Sequence, residues 1–185
     1  MIRALINRFF LGGRNLLERA GVGFLTGSYP RYLSIAVIND CNYRCPYCFG
    51  YFPIEGDDPR AGAKKKYVTA SIDLKVFKKL IDALVSFGRP IKVLFNYGGS
   101  IMLGEPFLHP EFLQMCKYVK KVKFGFSVLT NGSLMSEKSA RELIDLGVEN
   151  VCISLNASSP RVYREITGAS SDVCERIHGI VRGIS

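Results

Sequence analysis

The run Tyr32-Leu33-Ser34-Ile35-Ala36-Val37-Ile38-Asn39-Asp40-Cys41-Asn42-Tyr43-Arg44-Cys45-Pro46-Tyr47-Cys48 decides how the rest of the chain is read. It begins with an apolar, β-branched stretch and closes on Asn39-Asp40, which predicts a strand from Tyr32 to Ile38 that feeds a loop. The loop carries Cys41, Cys45 and Cys48. Three thiolates so close together can surround one cubic iron–sulfur cluster, and three protein ligands instead of four leave one iron open to a small molecule.

Working outward, Phe49 to Ala70 is rich in Gly, Pro and charge and reads as a long loop. Ser71 is expected to cap a helix with Asp73 in its first turn. Leu74, Phe77, Leu80, Ile81 and Leu84 then recur at helical spacing until Gly88-Arg89-Pro90 stops it. Ile91 to Phe95 reads as a second strand, Phe112, Leu113, Cys116 and Val119 as a short helix, and Val122 to Leu129 as a third strand that turns at Thr130-Asn131-Gly132. Ser136 is positioned to cap a further helix striped by Leu143, Ile144 and Leu146 and closed by Gly147. Val151 to Leu155 is a fourth strand, followed by helical pieces at Val162–Ile166 and Val173–Ile184.

Strands alternating with helices of about 10 to 15 residues imply βαβ units and a parallel sheet, so the fold class is α/β. In such sheets ligands bind beyond the carboxyl ends of the strands. The cysteines, Gly104-Glu105-Pro106, Thr130-Asn131-Gly132 and Ser154-Leu155-Asn156 all fall at or just after strand ends, so four polar or metal-binding groups are expected on one rim.

A length of 185 residues suits one core, and 48% hydrophobic with 22% charged residues excludes disordered and fibrous classes. Six cysteines are too few for a disulfide scaffold at this length. An adjacent triplet suits a reducing compartment, which makes the cytoplasm the expected location. The net charge of +9 favours anionic partners without specifying a mechanism. Residues 1–29 read as a basic amphipathic helical segment that packs on the domain or, as a second choice, touches a membrane surface. Its arginines and Gly12-Gly13 interrupt the roughly 20 apolar residues a spanning helix needs. No RNA-binding module or aromatic stacking motif accompanies the charge.

Cys41, Cys45 and Cys48 match the Cys-x3-Cys-x2-Cys signature of the radical S-adenosylmethionine (SAM) superfamily, which the chain resembles over residues 30–185. Tyr47 stands where the family places an aromatic residue beside adenine. Gly104-Glu105-Pro106-Phe107-Leu108-His109-Pro110-Glu111 is similar to the segment that holds the SAM amino group, and Glu105 supplies the carboxylate for it. The family sets two glycines directly before that glutamate. Here Gly98-Gly99 is followed by Ser100 to Leu103, so either a local insertion or a longer, bulged strand is implied. Thr130 and Asn131 match a turn whose polar side chains reach toward SAM. Period-two geometry places Cys152, Ser154 and Asn156 on one face of the fourth strand, and the resemblance suggests Ser154 and Asn156 for the SAM carboxylate or ribose. Tyr163 to Gly168 resembles the family's helix entry after that strand.

The resemblance implies a partial (β/α) barrel, with about four of about six βα units present. It implies a [4Fe–4S] cluster and SAM as cofactors, an external electron donor, and a 5′-deoxyadenosyl radical that abstracts hydrogen from a substrate. Peptide- or protein-modifying members look most similar, with a molybdopterin-synthesis type next. The fourth strand would remain an open edge, so a C-terminal continuation, a completing subunit or a dimer is expected. Two other readings compete. One is a non-catalytic iron–sulfur fragment. The other is a structural zinc domain, which would need a second cysteine pair or a Cys/His set, and Cys116, Cys152, Cys174, His109 and His178 are scattered singles.

Overall fold

The computed structural model describes residues 31–43, 45, 48, 70–96, 104–157 and 159–183. The expected N-terminal helical segment at 1–29, Tyr47, and the segment around Gly98-Gly99 and Leu103 lie outside them. Four strands, β1 (Tyr32–Ile35), β2 (Lys92–Phe95), β3 (Gly125–Thr130) and β4 (Asn150–Ile153), form one parallel sheet in the order β1-β2-β3-β4. Between and after them come α1 (Leu74–Val85), a 3-10 turn (Pro106–Leu108), α2 (Phe112–Lys121), α3 (Glu137–Asp145), α4 (Pro160–Thr167) and α5 (Ser171–Gly183). Sequential order and parallel pairing are the βα architecture that the alternation of elements predicts. Among the described residues no helix is long and apolar enough to cross a membrane.

Register separates the two faces of the sheet. Leu33 aligns with Val93 and Phe126, Ile35 with Phe95, Val128 and Val151, and Thr130 with Ile153. This apolar face is covered by α1 and α2, whose Phe77, Ile81, Phe112 and Met115 pack with it in one core. Val93, Phe95, Phe126 and Val128 are fully buried. The Phe95 ring stacks on Phe77 at 5.9 Å and meets Phe112 edge-on at 5.2 Å. Each such side chain contributes about 1.5–3 kcal/mol by burial. The opposite face carries Tyr32, Ser34 and Cys152, all exposed.

The boundaries depart from the sequence reading where long-range pairing overrides the local pattern. β1 ends at Ile35, not Ile38, because residues 37–39 pair antiparallel with 70–72. Ile72 N–H donates to Val37 O (2.9 Å) and Asn39 N–H to Ala70 O (3.0 Å). Ser71, held in that bridge, does not cap α1. Asp73 does, its carboxylate accepting from the N–H groups of Lys75 (2.7 Å) and Val76 (3.3 Å). β3 begins at Gly125 rather than Val122, since Val122 still caps α2 and Lys123 turns the chain at φ 63°. β4 closes at Ile153, before Leu155, whose N–H folds back to Ile153 O (2.8 Å). Ser136 caps α3 as expected, reciprocally with Ser139.

Candidate functional site

The rim is assembled from the strand ends inward. At the end of β2, Asn96 takes the left-handed conformation (φ 59°), and its side-chain N–H donates to Gly104 O (2.8 Å). Gly104 (φ 106°) lies so close to the loop after β1 that a Cβ there would stand 2.0 Å from Ile38 O. Only glycine permits that approach. The next residue completes the seam, Glu105 N–H donating to Asp40 O (2.8 Å). The segment leading into the cysteines is thus pinned to the end of β2.

Glu105 is 1% exposed. Its carboxylate accepts from Thr130 Oγ1 (2.6 Å), Asn131 N–H (2.7 Å) and Phe107 N–H (3.2 Å). Burial raises its pKa, and the three hydrogen bonds pull against that rise. Thr130 Oγ1 also accepts from Gly132 N–H (3.0 Å). Glu105 therefore fastens the turn after β3 to the turn after β2. Thr130, 3% exposed, is committed to that fastening. The sequence reading gave Thr130 and Asn131 to SAM; in the structure both hold protein groups.

Asn131 lies next to the cysteine loop. Its amide oxygen accepts from Ser133 N–H (2.8 Å) and Ser133 Oγ (2.6 Å), and its amide nitrogen donates to Asn42 Oδ1 (3.0 Å) and Cys41 Sγ (3.6 Å). Tyr43 N–H reaches the same sulfur at 3.4 Å. The Cys41 thiol has its pKa raised chiefly by burial, with the Tyr43 and Asn131 donors lowering it and the Glu105 charge raising it. Cys48 N–H donates to Cys45 O (3.0 Å), which curls the end of the triplet.

A second brace comes from α4 and α5. Tyr163, fully buried, donates its hydroxyl to Tyr43 OH (3.3 Å), and the two rings meet edge-on at 6.3 Å. Cys41, Cys45, Leu155, Cys174 and Ile177 pack in the same cluster. Burial, followed by the bond to Tyr43, keeps the Tyr163 phenol protonated. Arg176 on α5 donates to Ser133 O. Asn42, Ser133, Tyr43 and Arg176 are site residues that sequence reasoning did not assign, and Tyr163 was read only as part of a helix entry, since nothing local marks a partner 43 to 120 residues away.

The remaining expected residues divide. Pro106 is buried and opens the 3-10 turn behind Glu105. Ser154 N–H continues the β3–β4 ladder to Thr130 O (2.8 Å), while its side chain is half-buried and Asn156 is exposed.

Cys41, Cys45 and Cys48 are half-exposed thiols that form no disulfide among the described residues. Among the described residues no three His, Cys, Asp or Glu side chains gather tightly enough for a single ion. A zinc site needs four ligands about 2.0–2.3 Å from one centre. A four-iron cube spreads its ligands more widely, and three thiols on one curled loop suit it. His109 is spent elsewhere, with Nε2 on Ile72 O (2.9 Å) and Nδ1 accepting from Glu111 N–H (3.1 Å). Among the described residues Asn96 Oδ1, buried beside Gly104, has no hydrogen-bond partner, an acceptor suited to an incoming donor.

Comparison with known proteins places the class. The family model for the Radical SAM superfamily matches residues 35–182, and the chain belongs to that superfamily. Members of the superfamily use a [4Fe–4S] cluster and SAM. A tungsten-containing aldehyde ferredoxin oxidoreductase cofactor-modifying protein from Pyrococcus furiosus is 32% identical over 128 residues, covering 68% of this chain and 31% of the relative. A GTP 3′,8-cyclase from Alkaliphilus oremlandii is 30% identical over 153 residues, covering 82% of this chain and 43% of the relative. The chain therefore spans less than half the length of these curated relatives. BtrN, solved in complex with AdoMet and 2-DOIA, shares the fold at TM-score 0.55 and 19% identity, over 80% of this chain and 55% of that one.

Proposed function

We propose that this chain is the cluster- and SAM-binding part of a radical enzyme acting on a nucleotide-like substrate. The observation that carries the reading is the three-thiol loop seated on the strand-end rim and stitched there by Gly104, Glu105 and Asn131. Cys41, Cys45 and Cys48 hold the [4Fe–4S] cluster. When bound, the cluster supplies the electron for reductive cleavage of SAM, which gives the 5′-deoxyadenosyl radical that takes hydrogen from the substrate.

This chain's own residues orient and shield. Asn96 Oδ1 and the region of Gly104, Glu105 and Pro106 receive the SAM ammonium group. Ser154 and Asn156 take its carboxylate or ribose, and Tyr47 stacks beside adenine. Thr130 acts by placing Glu105, and the Tyr43–Tyr163 pair closes the inner side of the cysteine loop against water. An external one-electron donor is required.

The sequence reading favoured a peptide or protein substrate. The GTP 3′,8-cyclase relative supports a nucleotide instead, and the net charge of +9 suits a phosphorylated ligand. The test is anaerobic reconstitution followed by reduction with dithionite in the presence of SAM. About four irons and four sulfides per chain, a cluster spectrum that changes on adding SAM, and release of 5′-deoxyadenosine support the reading. Zinc uptake without sulfide defeats it. Cluster uptake and SAM binding without cleavage favour the second reading, a non-catalytic iron–sulfur portion that needs a completing subunit or further chain. GTP raising 5′-deoxyadenosine yield more than a cysteine-free test peptide does supports the nucleotide class; the reverse restores the peptide class.

A further inference from the structure

The hydrogen bonds around Cys41 bear on redox poise, an inference that rests on cluster ligation by this loop. The amide of Asn131 can face only one way. Ser133 presents its N–H at 2.8 Å and its hydroxyl at 2.6 Å, and Asn131 meets both with its oxygen. Its NH2 group must then face Asn42 Oδ1 (3.0 Å) and Cys41 Sγ (3.6 Å). The Asn42 amide donates in turn to Ser133 Oγ (2.7 Å), which closes a ring of three side chains drawn from two loops. Each member donates to the next, so each bond polarises its neighbours. Arg176 anchors the ring from α5 through Ser133 O. One amide N–H is left over, and it is aimed at the sulfur that Tyr43 N–H also reaches.

We propose that Asn131 is a positioning residue that sets the reduction potential of a cluster ligated by Cys41, the Asn42–Asn131–Ser133 ring holding one N–H on that thiolate. Cluster potentials respond to hydrogen bonds on the ligating sulfurs, because a donor there stabilises the extra negative charge of the reduced state. The ring couples this donor to the turn after β3, so the geometry of that turn is reported directly to the metal ligand.

The full chain, with Asn131→Ala, Asn131→Asp and Ser133→Ala, is reconstituted anaerobically, assayed for iron and sulfide, and titrated with dithionite while the reduced cluster is followed by electron paramagnetic resonance. The expected result is near-equal iron loading and a potential moved negative in Asn131→Ala. A factor of about ten in the reduction equilibrium, about 59 mV for one electron, is the expected scale. Asn131→Asp moves further in the same direction, since it replaces a donor with a charge near the sulfur, and Ser133→Ala moves less. Unchanged potentials in variants that load iron overturn the proposal. So does loss of iron in Asn131→Ala together with no shift in Ser133→Ala, which would make the ring a fold element only. A wild-type chain that takes up no cluster fails differently, defeating the ligation reading itself.

Discussion

Cys116 and Cys41 sit in two regions that treat one side chain in opposite ways. Cys116 lies on α2 in the middle of the helix-covered face, fully buried among Phe112, Met115 and Val119. Burial drives its thiol pKa far up and leaves it a small apolar group. Cys41 is also desolvated, but the rim supplies N–H donors from Tyr43 and Asn131 that oppose the effect. The difference lies in depth and in donors: burial outweighs the one backbone N–H that Cys116 has from its own residue, whereas the loop at the strand end is less deeply buried and points both a backbone N–H and a side-chain amide at Cys41.

The sharpest way to break this contrast is to remove one thiol from each region. Cys45→Ala should abolish iron uptake after reconstitution, and Cys116→Ala should leave it intact while lowering thermal stability by about 1–2 kcal/mol through the cavity it leaves. Equal loss of iron from both would mean the rim is not the metal site. Next in size is Gly104→Ala. It forces a Cβ into Ile38 O at a φ of 106°, so the seam under the cysteine loop must open. A loss of about 3 kcal/mol or more in urea unfolding, together with reduced iron uptake, is expected. Unchanged stability would show that the rim is not built on that close approach.

Glu105 sharpens the contrast through pH. Its pKa is raised in the folded state, so between the ordinary carboxylate range and that raised value the folded chain binds more protons than the unfolded one. Stability therefore rises as pH falls through that window and drops as pH climbs out of it. Urea midpoints of the wild type against Glu105→Gln should reveal that slope in the wild type and its loss in the variant. Parallel curves would mean the carboxylate is solvated after all. The smallest effect is expected for Tyr163→Phe, which keeps the ring and removes one hydroxyl from the pair with Tyr43. About 1 kcal/mol is expected, read by thermal denaturation with the iron content unchanged. Loss of iron would promote Tyr163 from a brace to part of the metal site.

The parts of the fold written in short-range pattern were legible in the chain. The stripe of Leu74, Phe77, Ile81 and Leu84 gave α1, Ser136 gave the start of α3, and the cysteine spacing pointed to the superfamily the chain belongs to. Partner choice across the chain was not legible. Ile38 has the composition of a strand residue, yet it pairs with Ser71 and not with β2, so both the end of β1 and the cap of α1 were misplaced. The same holds at the site. The family resemblance gave Asn131 and Thr130 to SAM, and what it did not indicate is that their side chains also bond Glu105, Ser133 and Asn42. Which acceptor a buried donor meets is decided by tertiary placement, and no periodicity encodes it.

The bridge between residues 37–39 and 70–72 has a consequence for how the chain can vary. Asn39 also accepts Ala70 N–H on its side-chain oxygen at 2.6 Å, so the excursion from 40 to 69 is clasped at its root by backbone and side chain together. Closing a chain segment of twice the length costs only about 0.6 kcal/mol more, so the bonds that join 37–39 to 70–72 fix β1 and α1 in mutual register largely independently of how many residues separate them.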